Sequence, residues 1–522
     1  MPAATVSGSF TWWRGLLASL RLDRTTRRAG LVGVSALLLV LAFPPFVLGW
    51  VGFVALVPLH FAVRGATARD AALSGAAFAL ATSFLLFGWA LGLPGFGLHH
   101  ALGFALYLAI YPAVLCAAWS RVSDHPGAAS IVPAILVVLD WTRGHAGFLA
   151  FPMGTLGQTQ HANITLVQLA SIGGEPLVTF VVAAANIAIA QLWSTVRTAE
   201  RVPLSNRRGP VLVLAAVITC HLVGGKLRQE DAGRSIVVAA VQPDFDPAAR
   251  SADEVVVLDQ LTRQAASAGA ELVVWPESAA GDVETDFLAR LRARAVVDGA
   301  AVPVLVGSSG PGSSGSDEAS SRGTNALFLV KPGEPLGEPY RKVHLVPFFE
   351  TMPAPLTSFV QARPRFDTAP GEKRITMPFG ELHVEPLICF ESLFADDVRA
   401  TASSSPGVIA LAVNDGWFGK TAAARMHNIA SVFRAVENRR PVVIASNRGP
   451  SEIIDSNGRV VARAVAFTPG MITALVRTDA PAGLYRAHGD LVWAAVIALL
   501  VLTSVVRSRG AASTARGSTG AA

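Results

Sequence analysis

The sequence predicts two unlike halves: a membrane-embedded bundle of α-helices and, carried before its last span, a water-soluble α/β domain of layered strands and helices. Three observations predict this. Hydrophobic residues make up 52% of the 522 residues and charged residues only 15%, with a mean hydropathy of +0.46, too apolar for a water-soluble chain of this length. Asp, Glu, Lys and Arg are almost absent from residues 30–63, 71–93, 97–120, 128–141, 165–193, 210–225 and 491–506, runs on the scale of the roughly 20 apolar residues that cross hydrocarbon. From about Lys226 to about Arg486 the texture changes to mixed charge, short β-branched runs and amphipathic stretches, the pattern of a folded aqueous domain.

The first apolar run is too long for one span and is interrupted at Pro44-Pro45, where helix hydrogen bonds must fail. It reads as a tight pair of helices, so about eight spans are expected, seven before the aqueous domain and one after it. The division is residues 1–29, a basic tail; 30–225, seven spans; 226–486, the aqueous domain; 487–507, the final span; and 508–522, a second tail. Arginines sit on one side of this arrangement: Arg14, Arg21, Arg24, Arg27 and Arg28, then Arg64, Arg69, Arg121, Arg197, Arg201, Arg207, Arg208, Arg507 and Arg509. Cytoplasmic loops retain such an excess, which places the aqueous domain outside the cytoplasmic membrane. The pI near 9.6 is then a signal of topology and lipid contact, not of nucleic-acid binding. No cleavable signal peptide is evident, and the first span is expected to be retained.

Within the aqueous domain, SIVVAAVQ (235–242), ELVVWPES (271–278), VPVLVGSS (302–309), TNALFLVK, HVEPLICF, GVIALAVND and PVVIASN read as strands. Helical patterns fall at ADEVVVLDQLTRQAASAG, DFLARLRARAVVDG and MHNIASVFRAVENR. Asn457-Gly458 between two alternating runs predicts a hairpin, and Ser308 to Gly323 a surface loop rich in Gly and Ser.

Cys116 and Cys220 fall inside expected spans, so Cys389 is the only thiol of the exported domain and has no disulfide partner there. It ends the apolar run of LICFES before SLFADDVRA, a plausible helix. A cysteine at a strand-to-helix junction is aimed outward near a helix N-terminus, which favours the thiolate; a buried small hydrophobe fits the same local pattern. Glu277 in WPES stands at a strand end beside Trp275 and Pro276, where desolvation suits a general base; a solvated loop glutamate fits too. Lys342 in YRKVHLVPFFE, Tyr340 to Glu350, offers a cation for a developing oxyanion; a surface lysine is the alternative.

Taken together, WPES, YRKVHLVPFFE, CFES and NDGWFG (414–419) resemble the nitrilase superfamily over roughly residues 235–478. The resemblance implies a four-layer αββα sandwich and a Glu-Lys-Cys triad of Glu277, Lys342 and Cys389. The membrane half narrows it. LAFPPF, DWTRG (140–144), FPMGTLGQTQ (151–160) and QLASIGGEPLVTFVVAAANIAIA (168–190) are similar to membrane motifs of the apolipoprotein N-acyltransferase family. That family resemblance implies a multi-pass protein of the bacterial cytoplasmic membrane with its catalytic domain on the extracytoplasmic side. It implies a phospholipid acyl donor, an acyl-thioester on Cys389, and diacylglyceryl apolipoproteins as acceptors, with membrane lipids around the spans and no metal or other cofactor. Glu350 matches a glutamate that supports the lysine, and Glu391 the acid two residues after the nucleophile. Phe390, Asn414 and Trp417 are the candidates for shaping the substrate pocket, and LVPFF (345–349) for an apolar arm. Phe390 stands where the family commonly has Tyr, SNRGPSEIID replaces a more usual Asn-x-Gly pattern, and no Trp lies between Val241 and Trp275.

A membrane-tethered amidase of the same superfamily is the nearest rival, although eight spans exceed what tethering needs. A transporter or scaffold is disfavoured by the scarcity of charge inside the spans. A Cys-His site using His427 or His344 is a further option. His99, His100 and Arg143 are expected at the membrane interface.

Overall fold

A computed structural model describes residues 23–93, 95–197, 205–228, 234–246, 254–310, 322–352, 367–402, 405–478 and 480–518. Helix occupies each apolar run: Arg24–Leu41, Val57–Val63, Ala68–Phe87, Leu98–Val122, Ala128–Gly144, Ala170–Arg197, Ser205–Leu227 and Leu491–Ser518. Among the described residues, four stretches, Ala68–Gly92, Leu98–Val122, Ala170–Thr195 and Arg208–Leu227, are long and apolar enough to cross a membrane; Gly49–Val63 and Leu491–Val506 are apolar but shorter.

The chain does break at Pro44-Pro45, and a 3-10 turn, Gly49–Phe53, precedes the short helix Val57–Val63. Irregular backbone among apolar helices must find its partners inside the protein, and side chains of other segments supply them. Asn186 donates to Gly52 O at 2.9 Å and accepts from Leu56 N–H at 2.8 Å, while Gln160 donates to Gly49 O at 2.7 Å. Helix Ala170–Arg197 is kinked at Gly173 and Gly174; Gly174 has φ +64, and a Cβ there would meet the Tyr485 ring at 2.6 Å. Only glycine suits both demands. Arg143, expected at the interface, is instead 8% exposed, donates to Met153 O at 3.0 Å and pairs with Asp140, because the loop after its helix folds back over it.

Two six-stranded sheets form the second half. The first has the order β12-β1-β2-β3-β4-β5, from β1 Ser235–Gln242, β2 Leu272–Val274, β3 Val304–Gly310, β4 Thr324–Val330, β5 Tyr340–Arg341 and β12 Gly470–Arg477. The second has the order β11-β10-β9-β8-β7-β6, from β6 Met377–Phe379, β7 Leu382–Ile388, β8 Gly407–Val413, β9 Val442–Ser446, β10 Glu452–Ile454 and β11 Val460–Arg463. β1-β2-β3 and β7-β8-β9 run parallel at the two centres, flanked by antiparallel strands.

Alternation along these strands sets the layers. Val238, Ala240, Val274 and Leu305 of one sheet pack against Ile388, Val408, Ala410 and Val443 of the other. Val241, Val273, Val304 and Val306 face the other way, onto helices Glu254–Ser267 and Phe287–Ala300. Leu387, Ile409, Leu411 and Ile444 pack on helix Ala423–Asn438, whose core runs on into the membrane helices. The result is an αββα sandwich seated on the bundle by one helix layer. Burial of both faces explains why the central strands read as unbroken apolar runs. Arg439, buried, ties the halves by donating to Gln168 Oε1 at 2.7 Å and to Leu227 O at 3.0 Å.

The hairpin at Asn457-Gly458 joins β10 and β11, with Gly458 at φ +82. The expected loop from Ser308 is shorter than its composition suggests: Ser308 to Gly310 pair with Thr324 to Ala326 in a β3–β4 ladder, and residues 311–321 lie outside the described residues.

Candidate active site

The triad residues arrive on three strand ends. β2 stops at Val274 and delivers Glu277 past the buried Trp275; β5 delivers Lys342; β7 delivers Cys389. Lys342 is 1% exposed and its Nζ lies 2.8 Å from Glu350 Oε1 and 3.2 Å from Glu277 Oε1. Burial works against the ammonium, but the charges of Glu277 and Glu350 outweigh it and hold Lys342 protonated well above its ordinary range. Glu277 receives two further hydrogen bonds, from Asn325 Nδ2 at 2.7 Å and from the Asn414 N–H at 3.1 Å. The carboxyl group is thus fixed in place by three hydrogen bonds.

Cys389 does not open an α-helix, contrary to the sequence expectation. It opens a single 3-10 turn, Cys389–Leu393, and helix Ala395–Thr401 starts beyond it. Its φ is +50, a left-handed backbone that a non-glycine residue adopts only when its surroundings hold it there. Burial raises the thiol well above its ordinary value, Glu277 adds to the rise, and Lys342 opposes it. These effects favour the thiol and oppose the pull toward thiolate read from a helix terminus.

Glu350 belongs with the triad: it binds Lys342, and its second oxygen accepts the Val346 N–H at 2.7 Å. Glu391 does not contact Lys342 or Glu277. Fully buried, it accepts from Tyr340 OH at 2.7 Å, Val343 N–H at 2.8 Å and His344 N–H at 3.1 Å with one oxygen, and from Ile388 N–H at 2.8 Å with the other. It clasps the loop after Lys342 to the strand end before Cys389.

Asn414 contributes its backbone, while its side-chain oxygen accepts from Asn447 Nδ2 at 3.1 Å. Phe390 lies in an aromatic row, 5.1 Å from Phe394 and 6.3 Å from His344 between ring centroids. Trp417 is half-buried on the 3-10 turn Asp415–Phe418, whose Phe418 packs edge-on against Trp89 of the membrane half at 4.8 Å. LVPFF folds as a tight turn closed by Phe348 N–H on Thr351 O, with Leu345 buried and Phe348 exposed at its tip. His344 binds Asp397 at 2.8 Å, and His427 contacts the carbonyl of Cys389 at 3.1 Å. Each ring is engaged by these contacts.

Asn325 escapes the sequence reading. It sits in β4 with Nδ2 shared between Glu277 and Glu350, at 2.7 and 3.3 Å; the only signal in the sequence is a lone amide near the start of an otherwise apolar strand. Glu277 also lines a cavity of about 40 Å3 with Asp246, Asn414 and Asn447. A larger one, about 350 Å3, opens between the two halves, where Trp141, Thr155 and Glu175 face His344, Phe394 and Asp397. At its edge His145, Asp396 and Asp490 bring potential ligand atoms within 4.8 Å of one another, but Asp490 already accepts from Trp141 and Trp493.

A sandwich of this kind, with an acid, a lysine and a cysteine delivered by strand ends, defines a carbon-nitrogen hydrolase domain, and residues 237–480 match the family described as carbon-nitrogen hydrolase. Residues 35–188 match the apolipoprotein N-acyltransferase N-terminal domain. Proteins named apolipoprotein N-acyltransferase resemble the chain over most of its length. The one from Geobacter metallireducens is 30% identical over 421 residues, 77% of this chain and 79% of the relative. That from Allorhizobium ampelinum is 28% identical over 81% of this chain and 80% of the relative, and that from Gloeobacter violaceus 28% over 85% and 88%. The chain belongs to the apolipoprotein N-acyltransferase family. It is an acyltransferase.

Proposed function

We propose that the chain transfers an acyl group from a membrane phospholipid to the α-amino group of a diacylglyceryl-cysteine apolipoprotein, through a thioester on Cys389. The observation that carries the mechanism is the buried cluster of Glu277, Lys342 and Cys389, in which each group bears electrostatically on the others. Glu277 takes the thiol proton as Sγ attacks the sn-1 ester carbonyl. Lys342 and the Phe390 N–H receive the negative charge on the carbonyl oxygen; the lysophospholipid leaves with the proton from Glu277. The amine then attacks the thioester, Glu277 accepts its proton, and the thiolate departs to be reprotonated.

Both substrates carry acyl chains, so the site must communicate with the bilayer. The 350 Å3 cavity between the halves supports this, since it reaches Phe394 and His344 beside the turn that holds Cys389. Glu350 as the partner of Lys342 and Glu391 as a clasp are roles that rest on their contacts, and Phe390, Asn414 and Trp417 are placed in this reading at the pocket wall. The same reading has eight spans, an aqueous domain over residues 226–486 and the catalytic half outside the cytoplasmic membrane, supported by the arginine distribution.

Incubation of the full-length protein with phospholipid should give an acyl adduct by intact mass that hydroxylamine removes. An adduct that survives Cys389→Ser, or none on the wild type, would sink the mechanism.

A further inference from the structure

The carbonyl of Cys389 and the N–H of Phe390 belong to one peptide unit, and that unit is held from behind. His427 Nε2 lies 3.1 Å from Cys389 O, and Ser392 Oγ donates to the same oxygen at 3.2 Å. The oxygen can only accept, so this contact assigns Nε2 as the donor; Nε2 also lies 3.3 Å from Ser392 Oγ, a hydroxyl that can accept as well as donate. The other ring nitrogen, Nδ1, faces Asp415 Oδ1 at 3.2 Å, and the second oxygen of Asp415 accepts from Ser446 Oγ at 3.2 Å. Asp415, Ser392 and Ser446 are no more than 1% exposed and His427 only 4%. No hydrogen bond of this chain reaches the thiol, though the Asp415 charge helps to raise it, and the acyl-transfer mechanism makes no use of these contacts.

We propose that Asp415 and His427 are positioning residues for the oxyanion site, acting through the Cys389–Phe390 peptide. The contacts have two physical effects. Donors on the carbonyl polarise the peptide and strengthen its N–H as a donor, as chains of hydrogen bonds do in a low-dielectric interior. They also hold Cys389 in its left-handed backbone, which orients the Phe390 N–H in the first turn of the 3-10 helix, where the helix itself supplies no acceptor. The proposal rests on Cys389 being the nucleophile and deepens that reading: the oxyanion site has a rear support of Asp415, His427 and Ser392.

The test compares two reactions of the same sulfur in full-length protein lacking Cys116 and Cys220 (both to Ala). Acylation by phospholipid passes through an oxyanion; alkylation by iodoacetamide does not. His427→Leu is expected to slow thioester formation and thioester discharge to an amine by a common factor of roughly 30, below the 10²–10³ of a lost direct donor. KM for phospholipid should change by less than about twofold, and alkylation should stay within about twofold of the parent. His427→Gln, whose amide N–H reaches the same carbonyl, should recover to within about fivefold, and Asp415→Asn should fall between the two. The His427→Gln and Asp415→Asn variants keep the test decisive if the Leu variant does not fold. Alkylation falling in step with acylation, acylation left intact, or Gln no better than Leu would each overturn the proposal. Absence of any adduct on the parent overturns the nucleophile assignment and this inference with it, whereas a normal parent with unaffected variants overturns this inference alone.

Discussion

Lys342 Nζ stands 3.2 Å from Glu277 Oε1 in a pocket where the lysine side chain is 1% exposed and the glutamate 10%. The proposed base and its cation are thus paired with each other in the structure. Glu277 raises the Cys389 thiol that the proposed mechanism has it deprotonate. In the proposed mechanism the thiolate forms only as the substrate carbonyl draws charge away from sulfur.

Glu277→Gln should therefore have opposite effects on two assays. Thioester formation from phospholipid should fall by roughly 10²-fold or more with the base gone. Alkylation of Cys389 by iodoacetamide at pH 7 to 8 should rise, because the substitution removes a negative charge that pushes the thiol up and leaves Lys342 in place. A pH series of alkylation measures this directly: the profile of the variant should lie at lower pH than that of the wild type. An unchanged or upward-shifted profile would refute the electrostatic account.

Lys342→Met should move the same profile the other way, since Lys342 is the group that lowers the thiol. It should also destabilise the protein by roughly 3–5 kcal/mol, as Glu277 and Glu350 lose the cation buried between them. The folded-state value of Lys342 is raised, so its contribution is fully present below the ordinary lysine range and is lost only as pH climbs through the raised value. Thermal melts of wild type and variant should accordingly differ by a constant amount from about pH 6 to pH 9.

Glu391→Gln tests the clasp. One carboxylate oxygen meets three donors and the other meets Ile388 N–H, so whichever way the amide turns, its NH₂ faces a donor. Loss of about 2–3 kcal/mol is expected, with activity falling as the loops of Lys342 and Cys389 separate. Tyr340→Phe, which removes one of four donors, should cost roughly 1 kcal/mol. Comparable costs for the two variants, read from denaturant melts, would show that Glu391 is not a shared anchor.

Much of this architecture was legible in the sequence because burial on both faces leaves unbroken apolar runs, as at Ser235–Gln242 and Gly407–Val413. Glu277 and Cys389 stood out because each follows such a run, whereas Lys342 precedes one and is picked out only by the family resemblance of YRKVHLVPFFE. Other parts were not. β12, Gly470–Arg477, pairs antiparallel with β1 from the far end of the domain, and no local pattern specifies a partner so distant. β5 is only two residues long. Asn325, Asp415 and His427 make hydrogen bonds to groups distant in sequence, so although NDGWFG and His427 are candidates in the sequence, these partners could not be read from the residues beside them. The pull toward thiolate read at the strand-to-helix junction of Cys389 is outweighed by burial and by Glu277, which raise the thiol, and a 3-10 turn separates Cys389 from the helix that SLFADDVRA forms.

Gly307→Ala tests how tightly the position of Glu277 is set by backbone packing. Gly307 lies in β3 beside the segment that carries Glu277 past the end of β2, and a Cβ on it would sit 1.9 Å from Pro276 O and 2.9 Å from Pro276 C. Neither is a flexible side chain, so the Pro276–Glu277 segment itself must move. That shift pulls Glu277 away from Lys342, Asn325 and the Asn414 N–H, all of which depend on its present place. Activity should fall by roughly 10²-fold for a displacement on the order of 1 Å, with about 1–3 kcal/mol of stability lost to overpacking. Phospholipid KM should move little, because the substitution lies behind the base and not in the cavity between the halves. Thioester formation and KM measured on the purified variant check this, and an active, normally stable Gly307→Ala would mean that Glu277 tolerates a wider range of positions than its three hydrogen bonds imply.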